Sequence, residues 1–264
     1  MSPMTISSDF PRPKLVLGYD LDAWNQRGER RKITVDLSPE NNSHVLLCGM
    51  SGSGKSYLEN AVLAKLALSE PNGEIHFADY KGDNSFAYLR GCPRYYSYKD
   101  TLHALEIVHN RLLARQSGQD NSTHPVTLIW DEYMAQVLSL LSEDKKVAAA
   151  VMNRVSEILL LGRSLSVRLI MAIQRPDALA FPAGSRLNYG VVVVLGSSAK
   201  SIYEMLLPDF KDELKGRTFK RGEGVVLFQG SELRYLKVPV VGNPKRMQEL
   251  CIRALSASRP PGEA

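Results

Sequence analysis

The sequence lacks a long apolar run, a paired-cysteine pattern and a large excess of either charge. No apolar stretch approaches the 18 or more residues of a transmembrane helix, and the first residues lack the basic-then-apolar layout of a secretory signal. The three cysteines lie in no CxxC or histidine-rich cluster, which argues against a disulfide framework and structural zinc. We therefore expect a cytoplasmic protein without a membrane span. The 33 Lys and Arg against 28 Asp and Glu permit nucleic-acid binding without establishing it.

Short apolar runs alternate with longer helical patterns from residue 44 onward, which predicts an α/β fold. The runs lie at residues 44–48, 74–79, 126–130, 167–173 and 191–195. Their low polarity is typical of parallel strands buried on both faces. Helical periodicity is clear at residues 99–116 and 146–161. With 264 residues, one large α/β domain with a mostly parallel sheet flanked by helices is expected.

Both ends of this domain carry patterns of their own. Residues 15–18 and 32–36, joined by a polar stretch at 25–31, predict an N-terminal β-hairpin. Residues 224–228 and 233–238 predict a C-terminal β-hairpin that turns at Gly230. We expect a disordered arm over residues 1–13, the main domain over 14–241, and a short helix near 244–255 with a tail over 242–264.

The strongest motif is GMSGSGKS, which matches the phosphate-binding pattern GxxxxGK[ST] between a predicted strand and a predicted helix. Its glycines let backbone N–H groups surround phosphates, and the helix directs its positive dipole end at the anion. Lys55 would bind the β- and γ-phosphates of ATP, and the Ser56 hydroxyl would bind Mg²⁺. The predicted nucleotide-binding residues are Gly49, Met50, Ser51, Gly52, Ser53, Gly54, Lys55, Ser56 and Tyr57.

The second motif is VTLIWDEY at residues 126–133, a buried strand that ends in two carboxylates. The carboxyl end of such a strand faces the ligand crevice of an open α/β sheet. Asp131 is therefore the predicted Mg²⁺ partner, and Glu132 the general base that polarises the attacking water. Gln174 follows the next predicted strand, where its amide could sense the γ-phosphate. Taken alone, a strand-end Gln or an Asp-Glu pair is more often an ordinary loop residue.

Together these pieces resemble the motor domain of the FtsK/SpoIIIE DNA translocases, within the FtsK–HerA group of RecA-like P-loop ATPases. The resemblance runs from about residue 15 to residue 238 and rests on LGYDLD, HVLLCGMSGSGKS, HFADYKGD, LIWDEY, GRSLSVRLIMAIQRPD and SRLNYGVVVVLGSSAKSIYEMLL. It implies a RecA-like fold and a hexameric ring that moves duplex DNA through its centre with ATP and Mg²⁺. Members of the group complete each site with an arginine from a neighbouring subunit, for which Arg163 and Arg186 are the candidates.

The chain also departs from the large translocases. Those proteins carry membrane spans and a C-terminal winged-helix module that reads DNA sequence, whereas only residues 239–264 follow the predicted hairpin here. The resemblance is therefore to compact mobile-element members, which serve plasmid or integrative-element replication or conjugative transfer together with replication or transfer proteins.

Two segments are candidates for DNA contact. Residues 211–221 contain five basic side chains against two acidic ones, and such a patch could bind phosphates. Residues 138–146 could form a pore loop that presents Lys145 and Lys146 to DNA. Duplex DNA is favoured over single-stranded DNA. For any one of these residues, an ordinary solvated loop is the simpler interpretation.

Two other functions remain open at this stage. One is an ATPase of a protein-secretion machine, because related motor domains share these motifs. The other is an adaptor that binds ATP as a switch, although such a module does not need the water-activating carboxylate of Glu132.

Overall fold

The computed structural model describes residues 14–39, 41, 44–181 and 187–256, and within this part of the chain ten strands form one continuous sheet. In chain order the strands are β1 (Leu15–Asp20), β2 (Lys32–Val35), β3 (Val45–Gly49), β4 (Glu74–Asp79), β5 (Tyr95–Ser97), β6 (Val126–Asp131), β7 (Val167–Ile173), β8 (Val191–Leu195), β9 (Glu223–Phe228) and β10 (Glu232–Lys237). Their order across the sheet is β2-β1-β10-β9-β8-β3-β7-β6-β4-β5.

The sheet combines a parallel body with an antiparallel extension. The six strands from β8 to β5 are parallel to one another, whereas β9, β10, β1 and β2 add on antiparallel. The extension consists of the N-terminal and C-terminal hairpins, joined through β1 and β10. The predicted α/β fold with a mostly parallel sheet and two hairpins is confirmed.

Helices cover both faces of this sheet. They are α1 (Leu21–Arg27), α2 (Lys55–Ser69), α3 (Thr101–Gln116), α4 (Tyr133–Glu143), α5 (Lys145–Leu161), α6 (Lys200–Leu206) and α7 (Pro244–Ser256). One hydrophobic core lies between the sheet and α3 to α6, and a second lies between the sheet, α2 and α7. Because each parallel strand meets a core on both faces, β3, β4, β6, β7 and β8 are buried along their whole length.

The sequence predicted the bounds of five parallel strands to within one residue. The runs predicted at 74–79, 167–173 and 191–195 have the observed bounds of β4, β7 and β8, and the other two differ by one residue. The N-terminal hairpin differs more, since its connection contains helix α1. Asp20 caps that helix by accepting the N–H of Ala23 at 2.8 Å, and Gly28 ends it with a φ of 66°.

The predicted pore loop at residues 138–146 is wrong. Those residues belong to α4 and α5, and the two helices are separated by Asp144 alone. The Asp144 carboxylate accepts the N–H groups of Lys146 and Val147 and so starts α5 directly after α4 ends. Lys145 and Lys146 are therefore the first turn of a helix and not the tip of a loop.

Three predictions fall on residues outside the described ranges. They are the disordered arm at residues 1–13, the last part of the tail at 257–264, and Arg186. Among the described helices, each is too short or too polar to cross a bilayer.

His44, directly before β3, is a buried base that should make the fold sensitive to acid. Its Nδ1 accepts the N–H of Leu169 at 3.1 Å, and 2% of the residue is exposed. Burial, followed by the nearby Arg168 and Arg163, lowers the pKa of His44 to about 3. The folded state therefore binds fewer protons than the unfolded state between pH 3 and the usual value near 6.5, and stability falls as the pH falls through that window.

We expect His44→Asn to flatten this dependence, because the Asn side chain can still accept the Leu169 N–H but does not titrate. Urea unfolding at several pH values between 5 and 8 measures it. The wild type should lose up to about 1.4 kcal/mol of unfolding free energy per pH unit below 6 relative to the variant. Equal slopes for both proteins would contradict a buried neutral His44.

Candidate functional site

Three neighbouring parallel strands bring the sequence-predicted residues to one edge of the sheet. The phosphate-loop strand β3 lies beside β7, and β7 lies beside β6. Because parallel strands end at the same edge, the GMSGSGKS loop, Gln174 after β7, and Asp131 with Glu132 at the end of β6 all converge there. This edge is the candidate nucleotide site.

The phosphate loop has the shape that an anion cradle requires. Helix α2 begins at Lys55 after Gly54, whose φ of 100° places it in a region that favours glycine. The loop is closed by a hydrogen bond from the Ser53 N–H to the Met50 carbonyl at 3.0 Å. The free N–H groups of the first turn of α2, which include those of Ser56 and Tyr57, lie at the positive end of the helix dipole.

Tyr57 uses its side chain elsewhere. Its hydroxyl accepts the backbone N–H of Val241, in the segment that leads from β10 to α7. The part of Tyr57 available to a nucleotide is therefore its backbone N–H. Its predicted role in binding remains a prediction.

Lys55 lies at the centre of a buried cluster of carboxylates. Its ammonium group donates to Asp131 and lies 3.1 Å from Glu132 and 3.6 Å from Glu59. All four residues are buried, with 6% or less of each exposed. The first two contacts join the phosphate loop to the end of β6, as the motif spacing predicted.

The pKa values of Lys55, Asp131 and Glu59 are all raised in this cluster, but not for the same reason. Burial alone would lower the pKa of Lys55, but Glu59, Asp131 and Glu132 raise it above its usual value. Burial raises the pKa of Asp131 to about 6, although Lys55 opposes that rise. The pKa of Glu59 is raised well above its usual value, first by burial and then by repulsion from Asp131. The site therefore contains more negative charge than Lys55 can balance.

Glu59 and Asp79 are part of the site and were missed from the sequence. Glu59 lies one turn beyond Lys55 on α2 and has no exposed surface. Asp79 ends β4 and accepts the N–H of Gly82 at 2.7 Å and the Tyr95 hydroxyl at 2.7 Å. Asp79 thus fixes the DYKGD loop next to the Asp131 end of β6, where the Tyr80 N–H meets the Asp131 carbonyl at 3.4 Å.

The residues predicted to bind Mg²⁺ suit that ion. The Asp131 Oδ2 atom is buried and has no hydrogen-bond partner within the described part of the chain, while Oδ1 contacts Lys55. The Ser56 hydroxyl lies in the first turn of α2, beside the same lysine. Carboxylate and hydroxyl oxygens are the donors that Mg²⁺ prefers, and the excess of carboxylates favours a divalent cation.

Glu132 occupies a strained backbone position. Its φ of 59° and ψ of 35° are left-handed, which is uncommon for a residue other than glycine. The conformation turns the chain sharply from β6 into α4 and directs the Glu132 carboxylate toward Lys55. Such strain is common at functional sites, where surrounding contacts compensate for its cost of about 1–3 kcal/mol.

Gln174 and Arg163 lie at opposite edges of the sheet. The Gln174 carbonyl is 3.7 Å from the Cys48 sulfur, one residue before the phosphate loop, so this residue lies beside the cradle. Arg163 is exposed in the turn between α5 and β7, at the edge where the parallel strands begin. Arg163 therefore cannot contact the nucleotide site of its own chain. Arg186 lies outside the described residues.

Comparison with known proteins shows which fold this is. The cytoplasmic domain of the Thermomonospora curvata type VII secretion ATPase EccC superposes with a TM-score of 0.67 at 21% identity, covering 98% of this chain and 33% of that one. The pCW3 conjugation coupling protein TcpA, solved as a monomer with ATPγS, gives 0.65 at 18% identity, covering 86% and 66%. EssC ATPases 2 and 3 from Geobacillus thermodenitrificans give 0.64 at 13% identity, covering 97% and 51%.

At these identities the likeness establishes a shared fold. The chain has the RecA-like fold of FtsK/HerA-type ATPase domains, which confirms the resemblance found in the sequence. It spans less than two thirds of the length of each of these three chains. No protein-family model and no curated protein sequence matches the chain.

Two glycines of the phosphate loop provide a matched test of this geometry. Gly52 and Gly54 both have positive φ, at 83° and 100°, but only Gly54 is packed: a Cβ there would lie 3.3 Å from the Gly222 nitrogen, whereas one on Gly52 would meet nothing within 4 Å. We expect Gly52→Ala to cost about 1 kcal/mol of unfolding free energy and Gly54→Ala clearly more, because the latter combines backbone strain with a backbone contact. Thermal or urea unfolding of the two variants measures the difference, and equal costs would contradict the packing.

Proposed function

We propose that this chain is an ATPase that acts as a homo-oligomeric DNA motor, with a hexameric ring as its working form. The proposal rests chiefly on the buried cluster of Lys55, Asp131 and Glu132 beneath a phosphate loop that opens a helix. In this proposal Lys55 is the cation, Asp131 the metal-binding carboxylate and Glu132 the general base around one anion cradle. A protein that only binds nucleotide does not need the third of these.

In the proposed reaction, the chain positions ATP and the attacking water. The N–H groups of the phosphate loop and Lys55 would bind the phosphates. Ser56 and Asp131 would hold Mg²⁺, which would supply positive charge to the phosphates. Glu132 accepts a proton from the water while the water oxygen bonds to the γ-phosphorus and the bond to the ADP oxygen breaks. The amide of Gln174, which follows β7 beside the cradle, would hydrogen-bond the γ-phosphate.

The exposed position of Arg163, far from the nucleotide site of its own chain, supports the oligomeric form. Arg163 is exposed at the far edge of the sheet and so is available to a second copy but not to its own nucleotide. An arginine supplied by a neighbour would stabilise charge in the transition state. Arg186 is the alternative for this role.

DNA as the substrate is supported by the charge on residues 211–221. Lys211, Lys215, Arg217, Lys220 and Arg221 are all exposed. The Arg217 guanidinium lies 4.3 Å from the centre of the Tyr235 ring, and Phe219 stacks on the same ring at 6.2 Å. Basic side chains with aromatic neighbours are typical of surfaces that bind nucleic-acid phosphates. Duplex DNA is favoured, and replication or conjugative-transfer proteins are the expected partners, in keeping with the likeness to a conjugation coupling protein.

Movement of a protein substrate is the second candidate function. It is favoured by the likeness to EccC and EssC, of which EccC is described as a secretion ATPase. Both candidates use the same chemistry and differ in the polymer that is moved.

Glu132→Gln should separate hydrolysis from binding. Removal of the base should lower kcat by about a hundredfold or more, because general-base catalysis contributes on that scale. ATP affinity should change only a few-fold, since the amide keeps the size of the side chain. The exposed Glu143→Gln, at the end of α4, is the matched control and should behave as wild type. Undiminished turnover by Glu132→Gln would show that another group activates the water.

An ATPase titration with duplex and single-stranded DNA tests the proposed substrate. Turnover should rise with DNA, duplex more than single-stranded, and the effect should weaken steeply with salt, because phosphate contacts release counterions. Lys211→Gln combined with Lys215→Gln should reduce the stimulation, whereas Lys245→Gln on α7 should not. Turnover unaffected by either DNA, with no binding at low salt, would remove DNA as the substrate and favour a protein.

A further inference from the structure

One end of the basic segment packs against the phosphate loop itself. The N–H of Gly222 donates to the Ser53 carbonyl at 2.8 Å, and the Gly222 carbonyl accepts the Val238 N–H at 2.7 Å. The first bond joins the turn before β9 to the phosphate loop, and the second joins the same turn to Val238, directly after β10. The turn therefore packs along one side of the phosphate loop.

Arg221 leaves this wall directly beside Gly54. Its Cγ lies 3.8 Å from the point that a Cβ on Gly54 would occupy. The side chain is exposed, and no ion pair or hydrogen bond of its guanidinium occurs among the described residues. The atoms beyond Cγ give the guanidinium enough reach to extend over the phosphate loop. Arg221 thus supplies a free cation within the same chain as the cradle.

The charge balance of the site calls for such a cation. Lys55 already contacts three carboxylates, and Asp79 lies near the same strand ends. A triphosphate adds several more negative charges to this cluster. A divalent ion and one lysine do not balance the combined negative charge of the carboxylates and the triphosphate. An arginine is well suited to add the missing charge, because its guanidinium binds two phosphate oxygens at once.

We propose that Arg221 binds the phosphates of the nucleotide held by its own chain. This inference rests on the proposed ATPase function, and it assigns Arg221 to the nucleotide while Lys211, Lys215 and Arg217 remain available for DNA. A contribution from the same chain differs from that of Arg163, because it is present in a single subunit. Arg221 should therefore increase nucleotide affinity even when the protein is monomeric.

The test is equilibrium binding of ATP with Mg²⁺ to the full chain, at a protein concentration at which mass measurement finds monomers. Arg221→Gln should raise the Kd for ATP by about tenfold, the size expected for a lost hydrogen bond between charged groups. Arg221→Lys should recover part of the affinity. Arg234→Gln removes an exposed arginine on β10, close to the turn at Gly230, and is the matched control that should bind as wild type.

Three results would overturn the inference, and they are distinguishable from one another. If the wild type binds ATP and Arg221→Gln binds it equally well, the assignment of Arg221 fails and the proposed ATPase function stands. If Arg234→Gln weakens binding as much as Arg221→Gln, the effect comes from overall charge and the specific contact fails. If the wild type binds no ATP, the proposed function fails and the inference fails with it. Because Arg221 is exposed, unchanged melting temperatures are expected for its variants and exclude misfolding as the cause.

Discussion

The structure of the site depends on one buried ion pair, between Lys55 and the carboxylate of Asp131. A charge removed from water is costly unless another charge and hydrogen bonds satisfy it. Lys55 is the first residue of α2, and Asp131 is the last residue of β6, so their contact fixes the distance between the phosphate loop and the carboxylate strand. Glu132 and Glu59 surround the same ammonium group. The loop conformation and the turn at Glu132 both follow from the need to bring these groups together.

The sheet makes this contact possible by its strand order. Strand β7 separates β3, which leads into the phosphate loop, from β6, which ends at Asp131, so these two strand ends are two spacings apart, about 10 Å. Lys55, the first residue of α2 after the loop, contacts Asp131 across this interval, and Gln174 directly follows β7. The antiparallel extension adds a further wall, because β9 beside β8 brings the turn at Gly222 against Ser53.

Much of the fold and the centre of the site could be predicted from the sequence, and the failures have identifiable physical causes. Strands buried on both faces leave continuous apolar runs, and a phosphate loop needs glycines at fixed spacing, so both are visible locally. Glu59 was missed because a glutamate four residues after a lysine is typical of an exposed helix pair. It is buried because its side of α2 faces Asp131 and Glu132 at the end of β6, more than seventy residues later in the chain. The pore-loop prediction was wrong because one capping residue, Asp144, is enough to end α4 and begin α5, so no loop is needed between them.

The excess of carboxylates also implies that nucleotide binding by the proposed ATPase would rearrange the site. In the proposed ATPase, phosphates compete with Asp131 and Glu132 for Lys55, and those carboxylates cannot remain buried without another positive charge. In that proposal Asp131 would hold a divalent cation in place of the lysine, and Glu132 would be free to face a water. Glu59 lies one turn after Lys55 on the same helix, so its distance from the lysine is set by α2 and not by the contact with β6. In the proposed ATPase, Glu59 would therefore keep the ammonium group beside α2 as the phosphates bind.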